Sequence, residues 1–333
     1  MPKASRKNLK KPAQKLLSSN HAPSKGFFGE QYSTNGQMET STCPFVLFSL
    51  LYSFSIMYDL IIAYRVYPKI SKVPFVFADD KLRLTELGLA SLKRSLGTLK
   101  VRMYALLDAC PDEYEALVKK YFGDADLHVL RLDGIGNGAS FLKQIELLCN
   151  DDSAEFVYFA EDDYLYREHQ FAAMLDFMRS GENINFVTPF DHLDYYTSDL
   201  HRHLVEVRFD AGYHWQRRNS TCLTFVARRS ALLATKHVFA TFAKRNYDTS
   251  MWFSLTKYRV WNVQKMWQYF RTDKPMFTIL AKAWYFSATQ ILFGRRYELW
   301  SPIPSIATHL QDDTIAPGVD WMRVVEDVSE MMP

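Results

Sequence analysis

The sequence is short of cysteine and glycine. Its four cysteines are spread along 333 residues without a CxxC pair: Cys43, Cys110, Cys149 and Cys222. This pattern indicates neither a disulfide framework nor a zinc site, and it favours a reducing, cytoplasmic setting. Only 13 glycines occur, and no GxGxxG follows the first predicted strand, which argues against a Rossmann dinucleotide site.

The chain also lacks a long uninterrupted apolar run. The longest begins at Phe45 and is broken by Asp59 after 14 mostly apolar residues, whereas a membrane span needs about 20. Its basic flank is compatible with peripheral membrane association. The alternative is a type II signal anchor through 45–64, followed by a globular domain.

An excess of charge of one sign is missing from the globular part. Residues 1–56 hold seven of the 40 Lys and Arg residues and two of the 37 Asp and Glu residues, which leaves 33 basic and 35 acidic residues in 57–333. No basic footprint for nucleic acid is therefore expected. Residues 1–42 are too polar to fold alone, and we expect a chain that starts at Met57 to fold and to keep its activity.

What the sequence does have, from Asp59 onward, is regular alternation. Strands are predicted at 59–68, 101–110, 127–132 and 155–163, and helices at 81–96, 111–123 and 139–149. Asp79 and Asp80 are cap candidates for the first helix, and Gly123 ends the second. Strands that alternate with helices of this length predict an α/β fold with a mostly parallel sheet flanked by helices.

The second half is less regular. A strand is predicted at 184–190, a strand running into a helix at 221–239, an amphipathic helix at 247–258 and a short helix from Trp321 to the end.

Three consecutive carboxylates, Glu161, Asp162 and Asp163, follow the fourth strand in VYFAEDDYLY. Like charges in a row repel, so either the cluster is a solvated turn or something positive lies beside it. In parallel sheets ligands bind beyond the carboxyl ends of the strands. Carboxylates in that place suit Mg²⁺ or Mn²⁺, which bridge them to substrate phosphates.

The order of strands and helices ending in AEDDYLY resembles the nucleotide-sugar-binding half of a GT-A glycosyltransferase of the family 2-like group. The resemblance covers about 59–320 and is clearest over 59–166. It implies a nucleotide-sugar-binding half at 57–180 and an acceptor-binding half at 181–325 of one domain.

The resemblance implies roles for individual residues on the donor side. Tyr64 and Arg65, in DLIIAYRVYP, would line the nucleotide site, and Asp108 would contact the nucleoside. Glu161 and Asp163 match the outer positions of the family's metal-binding DxD motif, with glutamate in place of the first aspartate and Asp162 on the donor between them. Further donor contacts are expected in the loop GIGNGASF, where glycine also suits any strand–helix connection: Gly136, Asn137 and Gly138.

Two more positions follow from the resemblance. A C-terminal histidine often completes the metal site in this group, and His309 lies in the predicted loop SPIPSIATHLQ, with His192 a weaker candidate. A carboxylate base opens a helix near the acceptor, which points to Asp248 in RNYDTSMW, although aspartate is also a preferred helix cap. Arg217 and Arg218 could contact the acceptor or the diphosphate; the alternative is surface charge.

The predicted function is therefore a metal-dependent, inverting glycosyltransferase. Its donor would be a UDP- or GDP-sugar and its acceptor a hydroxyl of a glycan, a lipid-linked sugar or a small molecule, with Mn²⁺ or Mg²⁺ as cofactor. Two alternatives stay open. A sugar-phosphate nucleotidyltransferase would carry a glycine-rich basic loop after the first strand, and RVYPKISK has no glycine. A non-catalytic nucleotide-sugar-binding protein would need no metal.

Overall fold

The computed structural model describes residues 57–70, 73–201 and 206–332, so the predicted tail 1–56 lies outside the described residues. The strands are β1 (Leu60–Val66), β2 (Val101–Asp108), β3 (Leu127–Leu132), β4 (Phe156–Glu161), β5 (Tyr164–Tyr166), β6 (Ile184–Val187), β7 (Val207–Asp210), β8 (Tyr213–Arg218), β9 (Phe225–Arg228), β10 (Glu298–Ile303) and β11 (Ala307–His309). The helices are α1 (Lys81–Leu96), α2 (Asp112–Phe122), α3 (Gly136–Asn150), α4 (Phe171–Arg179), α5 (Asp194–Thr197), α6 (Arg229–Phe239), α7 (Asp248–Thr256), α8 (Val263–Thr272), α9 (Lys274–Phe293) and α10 (Trp321–Ser329).

Nine of these strands form one twisted sheet in the order β3-β2-β1-β4-β9-β6-β10-β8-β7. The pairs β3–β2, β2–β1, β1–β4 and β6–β10 are parallel, and β9 and β8 run against their neighbours. The two remaining strands, β5 and β11, form a separate antiparallel pair. The carboxyl ends of β1, β2 and β4 therefore meet at one edge, where a ligand site is expected.

The sheet carries a hydrophobic core on each face. Alternate residues of β1 divide between them: Leu60, Ile62 and Tyr64 belong to one core, and Ile61 and Ala63 to the other. All of β1 is buried because helices cover both sides, with α1, α2 and α4 on the first face and α3, α6 and α7 on the second. The predicted fold class, a mostly parallel α/β sheet flanked by helices, is confirmed.

Local signals explain where the first helices begin and end. Asp80 caps α1 by accepting a hydrogen bond from the Arg83 amide at 3.0 Å. Gly123 ends α2 with a positive φ of 66°, a conformation that glycine adopts without a steric cost. Both boundaries were predicted from the sequence.

Three predicted elements differ from the structure. Helix α3 begins at Gly136, three residues earlier than expected, because Asp108 binds the amides at its start. Helix α7 is not amphipathic: its residues from Ser250 to Thr256 are all buried between neighbouring elements. His309 lies in a strand and not in a loop, since β11 pairs with β5.

The helices α8 and α9 were not predicted. They lie in the 41 residues between α7 and β10 and form a third, small core with the buried side of α7. Among the described residues no helix combines the length and the apolar character needed to cross a bilayer.

A buried histidine predicts how stability depends on pH. Burial lowers the pKa of His201 to about 4, although its Nδ1 shares a 2.6 Å hydrogen bond with Asn219 that acts in the other direction. The folded protein thus holds His201 neutral, whereas the unfolded chain protonates it below its ordinary value of about 6.5. The stabilisation is complete above pH 6.5 and is lost as pH falls towards 4.

We expect this group to cost about 2 kcal/mol of stability between pH 7.5 and pH 5. Chemical denaturation at the two pH values, compared with His201→Gln, measures the contribution. An equal pH dependence in the variant would show that His201 is not the group responsible.

Candidate functional site

A cavity of about 610 Å³ opens at the carboxyl edge of β1, β2 and β4. This volume is in the usual range for small-molecule sites. Its wall consists of the loop after β1, the start of α1, the ends of β2 and β4, the start of α3 and the residues after β11, namely Arg65, Tyr67, Pro68, Lys69, Ile70, Pro74, Lys81, Leu84, Asp108, Ala109, Gly134, Gly136, Asn137, Ser140, Glu161, Asp162, Asp163, His309, Leu310 and Gln311.

Glu161 is held by two partners from the sheet. One carboxylate oxygen pairs with the guanidinium of Arg65 at the end of β1, and the other accepts a hydrogen bond from Thr224 Oγ1 at 3.0 Å. Arg65 in turn donates to the backbone oxygen of Asn137 at 2.9 Å and to its side-chain oxygen. Glu161 therefore fixes Arg65 between β4 and the start of α3.

Asp162 faces the opening of α1. Its Oδ2 lies 2.9 Å from Lys81 Nζ and accepts a hydrogen bond from the Tyr67 amide at 3.1 Å. Burial raises the pKa of Asp162, with a further increase from Asp163, while Lys81 opposes both. These two contacts connect the start of α1 and the loop after β1 to the turn of residues 161–163, which we call the acidic turn.

Asp163 contacts His309. The β5–β11 pairing sets Tyr164 opposite His309, and the Asp163 carbonyl accepts a 2.7 Å hydrogen bond from the Leu310 amide. These bonds hold His309 Nε2 3.1 Å from Asp163 Oδ2. Burial raises the pKa of Asp163, but His309, Lys81 and Arg65 together outweigh it, and the net pKa lies below the ordinary range.

The three carboxylates thus face three different cationic or basic groups, contributed by β1, α1 and β11. Arg65 offsets the negative charge of Glu161 and Lys81 that of Asp162, and His309 lies beside Asp163. The sequence posed the choice between a solvated turn and a cluster beside positive charge. The structure supports the second, and the positive charge comes from the protein itself.

One atom of the cluster still offers room for a cation. Asp163 Oδ1 is buried and has no hydrogen-bond partner among the described residues. A buried unsatisfied carboxylate oxygen is costly, and coordination of a divalent cation would relieve that cost. Carboxylate oxygen beside imidazole is a donor set that Mn²⁺ accepts, so Asp163 and His309 fit the predicted cofactor once His309 Nε2 leaves Asp163 Oδ2 for the cation.

Glu161 fits that role less well. Both of its oxygens are engaged by Arg65 and Thr224, and within the described ranges no three His, Cys, Asp or Glu side chains converge on one point. Of the three predicted metal ligands, Asp163 and His309 therefore remain candidates, and Glu161 does not.

Asp108 closes the loop before α3. Its two oxygens accept hydrogen bonds from the amides of Ile135 and Gly136, each at 2.8 Å. Asp108 lines the cavity but is only 2% exposed, so its carboxylate organises the loop and occupies amides that an anion could otherwise bind. Gly136 and Asn137 also line the cavity, and their contact with a donor stays a prediction.

Two predicted donor contacts lie elsewhere. Tyr64 is fully buried, because the alternation along β1 sends its ring into the core under α1 while Arg65 points to the cavity. Gly138 packs against the turn that follows α6: a Cβ there would lie 3.1 Å from Ala243 Cα. The structure corrects both expectations and gives both residues a packing role.

Asp248 lies in a separate open depression of about 510 Å³ between the starts of α7 and α9. Its Oδ1 accepts a hydrogen bond from the Thr249 amide at 2.6 Å. Burial raises the pKa of the Cys222 thiol, and the charges of Asp248 and Glu161 raise it further. Asp248 does not line the first cavity.

The two neighbouring arginines have different environments. Arg217 pairs with Glu206 at 3.0 Å at the edge of the sheet. Arg218 is buried and forms a 2.5 Å ion pair with Asp191, whose other oxygen accepts from Tyr196. Neither of them lines the first cavity, and Arg218 is not surface charge.

Three further residues line the cavity without having been predicted: Lys69, Lys81 and Tyr67. Lys81 had a recognisable signal, because it is the first residue of a helix, where the helix dipole disfavours positive charge. A cation in that place indicates a nearby anionic group, here Asp162. The backbone amide of Tyr67 donates a hydrogen bond to Asp162, a contact that no residue pattern reveals.

No family model matches the chain, and no curated protein matches it. One solved structure with similarity is the cytidylyltransferase of Leptospira borgpetersenii, at 15% identity over 54% of this chain and 63% of that chain, with a TM-score of 0.30. A second is S. aureus TarS 1–349, at 13% identity over 56% of this chain and 55% of that chain, with a TM-score of 0.37. A third is glucosyl-3-phosphoglycerate synthase from Mycobacterium tuberculosis in complex with Mg²⁺ and uridine diphosphate, at 13% identity over 54% of this chain and 58% of that chain, with a TM-score of 0.31. The chain spans less than two thirds of each. With TM-scores below 0.5 these likenesses carry no argument about activity, and the α/β assignment rests on the strand order of the chain's own sheet.

Proposed function

We propose that the protein is a glycosyltransferase that binds a nucleoside diphosphate sugar in the cavity at the ends of β1, β2 and β4. The observation that carries the proposal is the acidic turn. There, among the described residues, one buried oxygen of Asp163 beside His309 has no hydrogen-bond partner, while Glu161 and Asp162 pair with Arg65 and Lys81. A site with cations and one available carboxylate oxygen suits a diphosphate bound together with a divalent cation.

The chain's own residues would divide the donor between them. Tyr67 and Ile70, in the loop after β1, offer apolar surface for a base, and Lys69 and Lys81 offer positive charge for phosphate. Asp163 and His309 would hold Mn²⁺ or Mg²⁺, which would neutralise negative charge on the leaving diphosphate. Arg65, fixed by Glu161 and Asn137, borders the same space.

For transfer to an acceptor hydroxyl, we propose Asp248 as the general base and inversion at the anomeric carbon. Support comes from its position at the opening of α7, where it lines a depression separate from the first cavity. The depression at Asp248 would receive the acceptor.

The direct test is binding and product analysis. We expect UDP- or GDP-sugars to raise the melting temperature in the presence of Mn²⁺ and to do so much less with EDTA. Incubation with acceptors should then release nucleoside diphosphate. Release of pyrophosphate from a nucleoside triphosphate and a sugar phosphate would instead identify a nucleotidyltransferase, and binding without turnover would identify a binding protein.

Lys69 provides a graded test of the donor site. It is exposed, lines the cavity and makes no ion pair or hydrogen bond among the described residues, so its loss should leave the fold unchanged. Lys69→Gln should weaken donor binding by about fivefold, the effect of one solvent-exposed charge contact. Titration calorimetry measures the change, with Lys236→Gln, an exposed lysine of α6, as the matched control. Equal affinity in both variants would remove Lys69 from the site.

A further inference from the structure

The helix α8 exposes its apolar side. Val263, Trp267 and Phe270 are 75%, 60% and 58% exposed, and Trp261, just before the helix, is 53% exposed. Val263, Met266, Trp267 and Phe270 follow the i, i+3, i+4, i+7 spacing of an amphipathic helix. Such a stripe normally faces a core, yet no residue of α8 is buried. Met266 reaches the third core, whereas most of the surface of Val263, Trp267 and Phe270 stays open to solvent.

The neighbouring helix α9 continues this apolar character. Tyr285 and Phe293 are 83% and 82% exposed, and Leu292 is 47% exposed. The two helices contact each other through ring pairs, Phe270 with Phe277 at 5.1 Å and Trp261 with Trp284 at 5.4 Å. We refer to the exposed apolar residues of 261–293 as the aromatic surface. Isolated exposed apolar residues are ordinary, but a set of this size on two contacting helices marks an interaction site.

The charge around the aromatic surface is strongly one-sided. Residues 257–296 contain eight Lys and Arg residues and one acidic residue, Asp273. The remainder of 57–333 contains 25 basic and 34 acidic residues, so a segment of net charge +7 lies on a body of net charge −9. Arg271 lies over the Trp267 ring at 4.7 Å, which joins positive charge and aromatic surface directly.

We propose that α8 and α9 dock the protein on the surface of an anionic lipid bilayer. Tryptophan, tyrosine and phenylalanine partition to the boundary between headgroups and acyl chains, and lysine and arginine beside them attract anionic headgroups. Lipid is the occupant we infer, because the aromatic surface has exposed aromatic rings and, beside them, the Lys and Arg side chains that anionic headgroups attract. The inference goes beyond the transferase activity and does not depend on it.

Charge disfavours the other occupants. A second copy meeting the same surface would bring +7 against +7, and the tail 1–56 is itself basic, with a net charge of +5. Single-stranded nucleic acid would match the charge, but aliphatic Val263 and Leu292 offer no ring on which a base could stack.

The test is flotation of the full-length protein with vesicles of phosphatidylcholine alone or with 30% phosphatidylglycerol. We expect binding to the anionic vesicles only, weakened in high salt because the attraction is electrostatic. Brominated lipid should quench tryptophan fluorescence, and the tail cannot contribute to this signal because 1–56 contains no tryptophan. Trp261 and Trp267 are the most exposed of the seven tryptophans, so Trp267→Phe should reduce the quenching.

The double variant Trp267→Ser, Phe270→Ser should bind anionic vesicles at least about tenfold more weakly. The matched control is Phe209→Ser, which removes an equally exposed ring, 70% exposed, on β7. Unchanged binding of the double variant, or binding without tryptophan quenching, would overturn the proposal. Dimerisation in sedimentation velocity that is lost in the double variant would overturn it in favour of a second copy, and single-stranded RNA binding lost in the same variant would overturn it in favour of nucleic acid.

Discussion

Asp163→Asn is expected to abolish metal-dependent donor binding while the fold remains intact. Asparagine has the same shape and can still contact His309, so packing at the β5–β11 pair is kept. The substitution removes the negative charge and replaces one carboxylate oxygen with an amide nitrogen, which does not bind a hard cation. We expect the Mn²⁺-dependent gain in affinity for a UDP- or GDP-sugar, measured by calorimetry with and without EDTA, to fall by at least about 100-fold.

Two further variants make the result specific. His309→Gln should reduce the same metal-dependent gain, because it removes the neighbouring imidazole. Asp176→Asn, at an exposed carboxylate of α4, should change neither binding nor metal dependence. If Asp163→Asn keeps the full Mn²⁺ response, the carboxylate does not hold the cation, and the acidic turn serves only to bind Arg65, Lys81 and His309.

The first half of the fold could be predicted because its signals are local. Asp80 and Gly123 set helix ends through contacts within a few residues, and the apolar strands are long enough to identify from composition alone. The α8–α9 pair escaped prediction for the opposite reason. Its apolar side is not buried, so the usual correspondence between an apolar stripe and the core does not apply there.

The candidate site was predicted in part, and the misses have physical causes. Placing ligands at strand ends correctly brought together Arg65, Asp108, Asn137 and the acidic turn. Alternation along β1 turns Tyr64 into the core and Arg65 towards the cavity. Predicting which residue does which requires knowing which face of β1 the helix α1 covers. The pairing of His309 with Asp163 depends on β11 returning to β5, a contact across almost half of the chain.

The role of Asp248 rests on where an acceptor can approach. It lies in the depression beside the start of α9, outside the cavity proposed for the donor. In the proposed mechanism this depression would receive the acceptor. A carboxylate on the acceptor side could then remove the hydroxyl proton.

Asp248→Asn should therefore lower turnover by roughly 10²–10⁴, the usual cost of losing general base catalysis. Asparagine keeps an oxygen that can accept from the Thr249 amide, so the start of α7 and the melting temperature should be unchanged. Donor affinity should also remain, because Asp248 does not line the donor cavity. Steady-state kinetics, thermal unfolding and calorimetry on the same preparation separate these three quantities.

The control is Asp273→Asn, which changes another carboxylate at a helix start. Asp273 caps α9 by accepting from the Met276 amide at 3.0 Å, and asparagine caps equally well, so turnover should be unaffected.

Nearly intact turnover in Asp248→Asn would reduce Asp248 to a structural role. The base would then be sought at Asp191 or Asp194. Of these, Asp191 has the stronger physical argument, since burial raises its pKa towards the range of a base, but its ion pair with Arg218 would have to open for it to accept a proton.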